Sequence, residues 1–166
     1  LFRPVRPEDE TMIQDFFYSL SERTIYSRFF AHLKFFPLSF LHGFARIDYR
    51  TKMTVLGLAE EGGNENIIAM GHYVVDGQTG IGEPAIIVRD DWQKRGVGRL
   101  LFDYLIDIAK ESGLPGLTAE VLKENEQMIK LLSRAGFNVS QGIGKSSRTA
   151  ELKFMAEAQP SDPTGS

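Results

Sequence analysis

The chain has no cysteine, and that absence excludes disulfide staples, thiolate zinc sites and a cysteine nucleophile. It fits a reducing compartment, and the cytoplasm is the expected location. Positive charge is not in excess either: 19 Lys and Arg against 22 Asp and Glu give a formal net charge of −3. No overall basic field exists to draw in nucleic acid or an anionic membrane, so any anion has to be bound by a local arrangement. Long apolar runs are missing. None approaches the ~20 residues a membrane helix needs, and the opening residues carry no charged-then-apolar signal pattern. Histidine is scarce: His32, His42 and His72 stand at no metal-ligand spacing, read as packed or surface residues, and predict no metal site.

What is present is ordinary globular material. At 166 residues, 42% hydrophobic and 25% charged, the chain suits one compact domain with a real core. It opens at Leu1 rather than Met and runs straight into the strand-like Leu1-Phe2-Arg3-Pro4-Val5, as expected of a domain cut from a longer protein. The closing Gln159-Pro160-Ser161-Asp162-Pro163-Thr164-Gly165-Ser166 has nothing to bury. Residues 1–156 therefore read as the domain, and 157–166 as a disordered tail or expression remnant.

Periodicity places the elements. Pro7, Glu8 and Asp9 suit a helix first turn, and Met12, Ile13, Phe16, Phe17 and Leu20 follow at helical spacing, which predicts a helix over about 8–20. Ser21 can cap a second helix carrying Ile25, Phe29 and Phe30, with Thr24 in place of the usual capping-box acid. A third short helix reaches about Arg46. Phe29, Phe30, Phe35, Phe36 and Phe40 read as core, with a docking surface for a protein substrate as the alternative. Runs at 51–60 and 66–75 form a hairpin across Glu61-Gly62-Gly63-Asn64-Glu65. A buried central strand is expected at 82–89, a long helix at 97–112, a strand at 116–122, a helix at 125–135, and a strand pair at 137–141 and 148–155. The class is α/β (α+β).

The chemistry concentrates in Val88-Arg89-Asp90-Asp91-Trp92-Gln93-Lys94-Arg95-Gly96-Val97-Gly98-Arg99-Leu100: a buried strand, a polar turn holding Asp90 and Asp91 as turn formers, then two glycines at the start of an amphipathic helix. Helix N-termini present free N–H groups and partial positive charge, and glycine lets a phosphate come close to the backbone. Lys94, Arg95 and Arg99 add cations. A bare Gly-x-Gly is equally a tight strand-to-helix turn. No Gly-Lys-Ser/Thr follows, which excludes a Walker loop, and no third glycine with a downstream ribose-binding acid supports a dinucleotide site.

Gln93-x-x-Gly96-x-Gly98 after a strand resembles the acyl-CoA pyrophosphate motif of the GNAT superfamily. Asn125-x-x-Met128-Ile129-x-Leu131-Leu132-x-x-Ala135-Gly136-Phe137 is similar to that family's Asn-containing helix ending in Gly-Phe. Arg3 to Asp9, Phe16 to Ser21, Arg28-Phe29-Phe30 and Val88 to Gln93 resemble the acetyltransferase domain of bacterial Pat-type protein lysine acetyltransferases. The resemblance spans roughly residues 3–155. It implies a GNAT-like mixed central sheet of about six to seven strands flanked by helices, and acetyl-CoA as acyl donor. It also implies a protein lysine as acceptor, such as one on an acyl-CoA synthetase, and a larger multidomain parent chain.

Residue by residue, the resemblance implies that Gln93, Lys94, Arg95, Gly96, Val97, Gly98 and Arg99 hold the pyrophosphate. Backbone groups near Ile87, Val88 and Arg89 would bond pantetheine like an extra strand, and a Val88 N–H would face the forming oxyanion. Asn125 corresponds to the family's CoA-side asparagine and is equally explained as an N-cap. Where many relatives carry a tyrosine as general acid, this chain has Leu132, so no acid is assigned. A lysine amine near pKa 10.4 is neutral in only about one part in a few thousand at pH 7, which calls for a base. Glu83 is that candidate, at the start of the strand, where apolar neighbours would suit it to the role. Its alternative is a solvated strand-end carboxylate, and Pro84, which removes a ladder donor, predicts an irregular strand start. Glu120 is the reserve base, or a structural partner. Competing functions are a small-amine or antibiotic N-acetyltransferase and a non-catalytic acyl-CoA-sensing module.

Overall fold

The computed structural model describes residues 1–154, and the tail expected at 157–166 lies outside the described residues. The chain opens as β1 (Phe2–Pro4) and passes through a 3-10 turn at Pro7–Asp9 into α1 (Glu10–Ser19). Opposite charges close this entry. Arg3 donates from both terminal nitrogens to Asp9 at 2.7 and 2.8 Å, and the Arg6 N–H donates to the same carboxylate at 2.7 Å. Asp9 is buried, and the Arg3 guanidinium holds its carboxyl below the usual carboxylate range. α2 (Glu22–Phe29) starts where the sequence puts its cap: the Ser21 hydroxyl accepts the Thr24 N–H at 3.2 Å. It ends with Phe30 in the left-handed region at φ 57. α3 (Leu38–Ala45) follows.

β2 (Lys52–Glu61) and β3 (Asn64–Val75) form the predicted hairpin. Its loop is shorter than the five residues expected, because Gly62 and Gly63 adopt φ 60 and 81 and satisfy a two-residue turn that requires two positive φ values. Glu61 and Asn64 are then free to pair. β4 (Gly82–Val88), α4 (Val97–Glu111), β5 (Gly116–Leu122), α5 (Glu126–Arg134), β6 (Asn138–Gln141) and β7 (Ser147–Lys153) complete the chain. The sheet order is β1-β2-β3-β4-β5-β7-β6, mixed and seven-stranded, within the expected size and class.

Helices cover both faces. On one, Ile13, Phe16, Phe17 and Leu41 pack with Leu56, Met70 and Ile87; on the other, Leu101, Phe102 and Leu105 of α4 pack with Val55, Tyr73 and Leu117. Phe17 anchors the first core, its ring centroid 5.1–5.8 Å from those of Phe16, Phe36, Phe40 and Phe44. The predicted phenylalanine core is therefore divided. Phe36 is buried, Phe29 and Phe40 pack against the cluster, and Phe30 and Phe35 are exposed. No helix among the described residues is long and apolar enough to cross a membrane.

One discontinuity in the sheet positions the site. β4 and β5 run parallel but pair only at Gly82 and Leu117. Bonds from the Asp76 N–H to the Ile81 carbonyl and from the Arg89 N–H to the Ile68 carbonyl fix the phase of the β3–β4 ladder. Odd-numbered residues of β4 turn their backbone groups to β3, and Pro84, Ile86 and Val88 turn theirs toward β5. The next donor to β5 would be the N–H of residue 84, which proline lacks. β4 itself is unbroken at Pro84, which stays in register with Tyr73, so the expected irregularity falls on the β5 side. The strands part beyond this point, and a cleft opens between them.

Candidate active site

The cleft has a volume of about 1200 Å³ and runs from α2 and β3, past β4 and β5, to the starts of α4 and α5. Ile86, Ile87 and Val88 line it on one side and Ala119, Glu120 and Val121 on the other. Alternation leaves the Ile86 and Val88 N–H groups facing the gap. This corrects the expectation for two neighbours. Ile87 is paired with Met70 of β3, and the Arg89 N–H is engaged by the Ile68 carbonyl at 2.8 Å.

At one end the backbone has a form suited to an anion. Lys94 and Gly96 take left-handed conformations, φ 59 and 84, so the chain curls before α4 begins. The α4 ladder starts with the Leu100 N–H on the Gly96 carbonyl at 3.2 Å, and the N–H groups of Val97, Gly98 and Arg99 precede it without intrahelical acceptors. The two glycines serve different ends. Gly96 provides the positive φ, whereas a Cβ on Gly98 would make ordinary contact with Val88, Ile86 and Leu131 at 3.4–3.5 Å, so Gly98 marks a close but not forbidding approach of α4 to β4. Lys94 and Arg99 line the cleft, the latter paired with Asp103 at 2.9 Å.

Three predicted ligands are placed otherwise. The Arg95 guanidinium lies over the Trp92 ring, 4.9 Å from its centroid, and the Val97 side chain packs into the core, leaving its backbone as its contribution. Arg89 is a brace, held by Glu61 at 2.6 and 3.0 Å and by Asp91 at 2.7 and 2.8 Å. Gln93 also braces: its amide nitrogen donates to the Val88 carbonyl and to the Thr24 hydroxyl, both at 3.0 Å. Asn125 makes the cap that its position allows, its Oδ1 accepting the Met128 N–H at 3.2 Å. It also lines the cleft, which leaves its amide N–H groups available.

The other end holds Glu83, exposed and lining the cleft with Tyr26, Arg28, His72 and Val74. Apolar enclosure, expected around Glu83, is not what the structure provides; the notable neighbour is the Arg28 cation. Arg28 Nη2 lies 3.0 Å from His72 Nε2. Arginine only donates, so Nε2 accepts and the imidazole proton sits on Nδ1. Burial, with the Arg28 charge beside it, pushes His72 down to about 3. Burial also lowers Arg28, opposed by the charge of Glu83, and Arg28 Nε is buried without a hydrogen-bond partner. Glu120 accepts the Thr149 hydroxyl, the structural pairing weighed for it. Leu132 is buried.

Three contributors escaped sequence reasoning. Arg28 is the one cation in Ile25-Tyr26-Ser27-Arg28-Phe29-Phe30, and His72 shares a strand face with Met70; both signals were present. Asp90, read as a turn former, accepts from groups 66 and 69 residues away, which local pattern does not reveal. His32 stacks on Tyr26, and His42 pairs with Glu10 at 2.8 Å.

Residues 18–137 match the model of the acetyltransferase (GNAT) family. The chain is 29% identical to an acetyltransferase of Pseudomonas aeruginosa over 137 residues, covering 82% of this chain and 74% of that one. It is 32% identical over 136 residues to the acetyltransferase Pat of Mycolicibacterium smegmatis, covering 81% of this chain but only 40% of the length of that relative. Among solved structures it resembles the GNAT domain of S. lividans PAT, with a TM-score of 0.83, 27% identity, and coverage of 92% and 89% of the two chains.

Proposed function

The chain belongs to the GNAT acetyltransferase family, and from that premise we propose that it moves acetyl from acetyl-CoA to a lysine side chain of a protein such as an acyl-CoA synthetase, with Glu83 as general base. The observation that carries this reading is the parted β4–β5 pair, with an anion cradle at one end and a carboxylate at the other.

The residues fit the donor. The left-handed Gly96, the leading N–H groups of α4, and the cations Lys94 and Arg99 suit a pyrophosphate. The gap-facing edge of β4 suits an extended amide-bearing arm added as a strand would be. Acetyl-CoA, when bound, supplies a thioester whose carbonyl carbon an amine can attack. The Val88 N–H is positioned to meet negative charge developing on a carbonyl oxygen in the gap. Its carbonyl is fixed by Gln93, which holds that peptide plane in place.

Glu83 sits on the far side, where an acceptor amine would enter. Its carboxylate takes the proton that an ammonium must lose, directly or through one water. Arg28 sets a cation beside it, a field that disfavours the charged form of an arriving amine. Exposed Phe30 and Val74 line this mouth and suit a chain-bound lysine, in keeping with the resemblance to Pat-type enzymes. Incubation with acetyl-CoA and a purified acyl-CoA synthetase, followed by mass spectrometric mapping, is expected to find acetyl on one dominant lysine. Acetylation scattered at the uncatalysed rate would refute the protein acceptor.

A further inference from the structure

The turn that carries the donor cradle is stitched to the helix that carries the acceptor mouth. Asp90 stands at the N-terminus of α2: its Oδ2 accepts the Ser21 N–H at 2.9 Å, and its Oδ1 accepts the Ser21 and Thr24 hydroxyls at 2.5 and 2.8 Å. Gln93 completes the stitch, donating at once to the Thr24 hydroxyl and the Val88 carbonyl. One carboxylate and one amide therefore join the Asp90–Gln93 turn, the edge of β4 and the start of α2.

The two sides of this stitch are unequally anchored. The turn is held to the sheet independently, since Arg89 reaches Glu61 of β2 and Trp92 Nε1 donates to the same carboxylate at 3.2 Å. α2 has eight residues, of which only Ile25 is buried. A helix so short is marginal by itself, and an anion at its N-terminus complements the free N–H groups and dipole there. Asp90 thus holds the N-terminal end of α2, the helix that carries Tyr26 and Arg28 to the cleft, while Arg28 on His72 and Phe29 against the core hold its other end.

We infer that Asp90, acting through Ser21 and Thr24, is a positioning residue that couples the donor cradle to the acceptor mouth, so that filling the first fixes α2 and thereby shapes the second. The inference rests on the donor site described above. Asp91 belongs to the same turn but pairs with Arg89 rather than α2, which makes it the comparison.

Hydrogen–deuterium exchange of residues 22–29, with and without saturating acetyl-CoA, tests it in the wild-type protein, Asp90→Ala, Thr24→Val and Asp91→Ala. Thr24→Val removes the bridging hydroxyl while keeping the side-chain shape, should Asp90→Ala not fold. The expected result is that acetyl-CoA slows exchange in α2 about tenfold in the wild type and in Asp91→Ala. In Asp90→Ala and Thr24→Val the slowing falls below about twofold, while calorimetry shows acetyl-CoA still binding within about threefold of wild-type affinity. Equal slowing in all four proteins, or acetyl-CoA binding that leaves α2 exchange unchanged in the wild type, overturns the coupling alone. A wild-type protein that does not bind acetyl-CoA overturns the donor site and the coupling together.

Discussion

Opening a cleft in a parallel pair of strands requires hydrogen bonds to end somewhere, and a single missing N–H at Pro84 accounts for where they end. Pro84→Ala restores that donor and is expected to draw β4 toward β5, weakening acetyl-CoA binding about fivefold in calorimetric titration; wild-type affinity would place the cause of the gap elsewhere. His72 carries a pH dependence. With a folded value near 3 against 6.5 in the unfolded chain, the unfolded state binds more protons between those values. Stability therefore falls as pH drops from about 6.5 toward 3, by at most ~1.4 kcal/mol per pH unit. Asp9, depressed by Arg3, adds acid sensitivity below the ordinary aspartate range. Urea denaturation at pH 7 and pH 5 should show the first loss in the wild type and less of it in His72→Gln. At this scale the sequence indicated residue types better than roles. Glu83 and Asn125 could be singled out from their motifs, but whether Gln93 contacts a ligand or braces the turn depends on Thr24, 69 residues away.

Elements were more legible than residues, because each is specified by neighbours a few positions apart. The strand at 116–122 and the start of α4 stand where periodicity puts them, and Ser21 caps α2 as read. The hairpin loop is shorter because turn geometry can be met by two glycines, and pairing Glu61, Asn64 and Glu65 in the ladder is preferable to leaving their backbone groups in solvent. Which backbone groups of β4 face the cleft could not be read, since that phase depends on β3 pairing. A close approach between β5 and β7 gives the test for this scale. A Cβ at Gly116 would lie 2.5 Å from the Leu152 carbonyl oxygen, a backbone atom with little room to move. Gly116→Ala is expected to cost about 1–3 kcal/mol and lower the thermal midpoint; an unchanged midpoint would mean that β7 shifts freely.

At the scale of the whole molecule, a chain of net charge −3 gathers cations at one end of a cleft and places Glu83 at the other. The sheet divides two cores, and where β4 and β5 part beyond Gly82 and Leu117 a cleft passes between its two ends. The fold was legible in the order of elements along roughly residues 3–155, and the curl ahead of α4 in the pattern around Val88–Leu100. The end that holds Glu83 drew less signal, because Arg28 and His72 meet only when α2 is laid against β3 and β4. The direct test of the central claim is free-thiol release from acetyl-CoA with a purified acyl-CoA synthetase as acceptor, comparing wild type with Glu83→Gln and measuring acetyl-CoA affinity alongside. The account predicts a fall in kcat of about 10²–10⁴ with affinity unchanged; a Glu83→Gln protein that turns over like the wild type would contradict it.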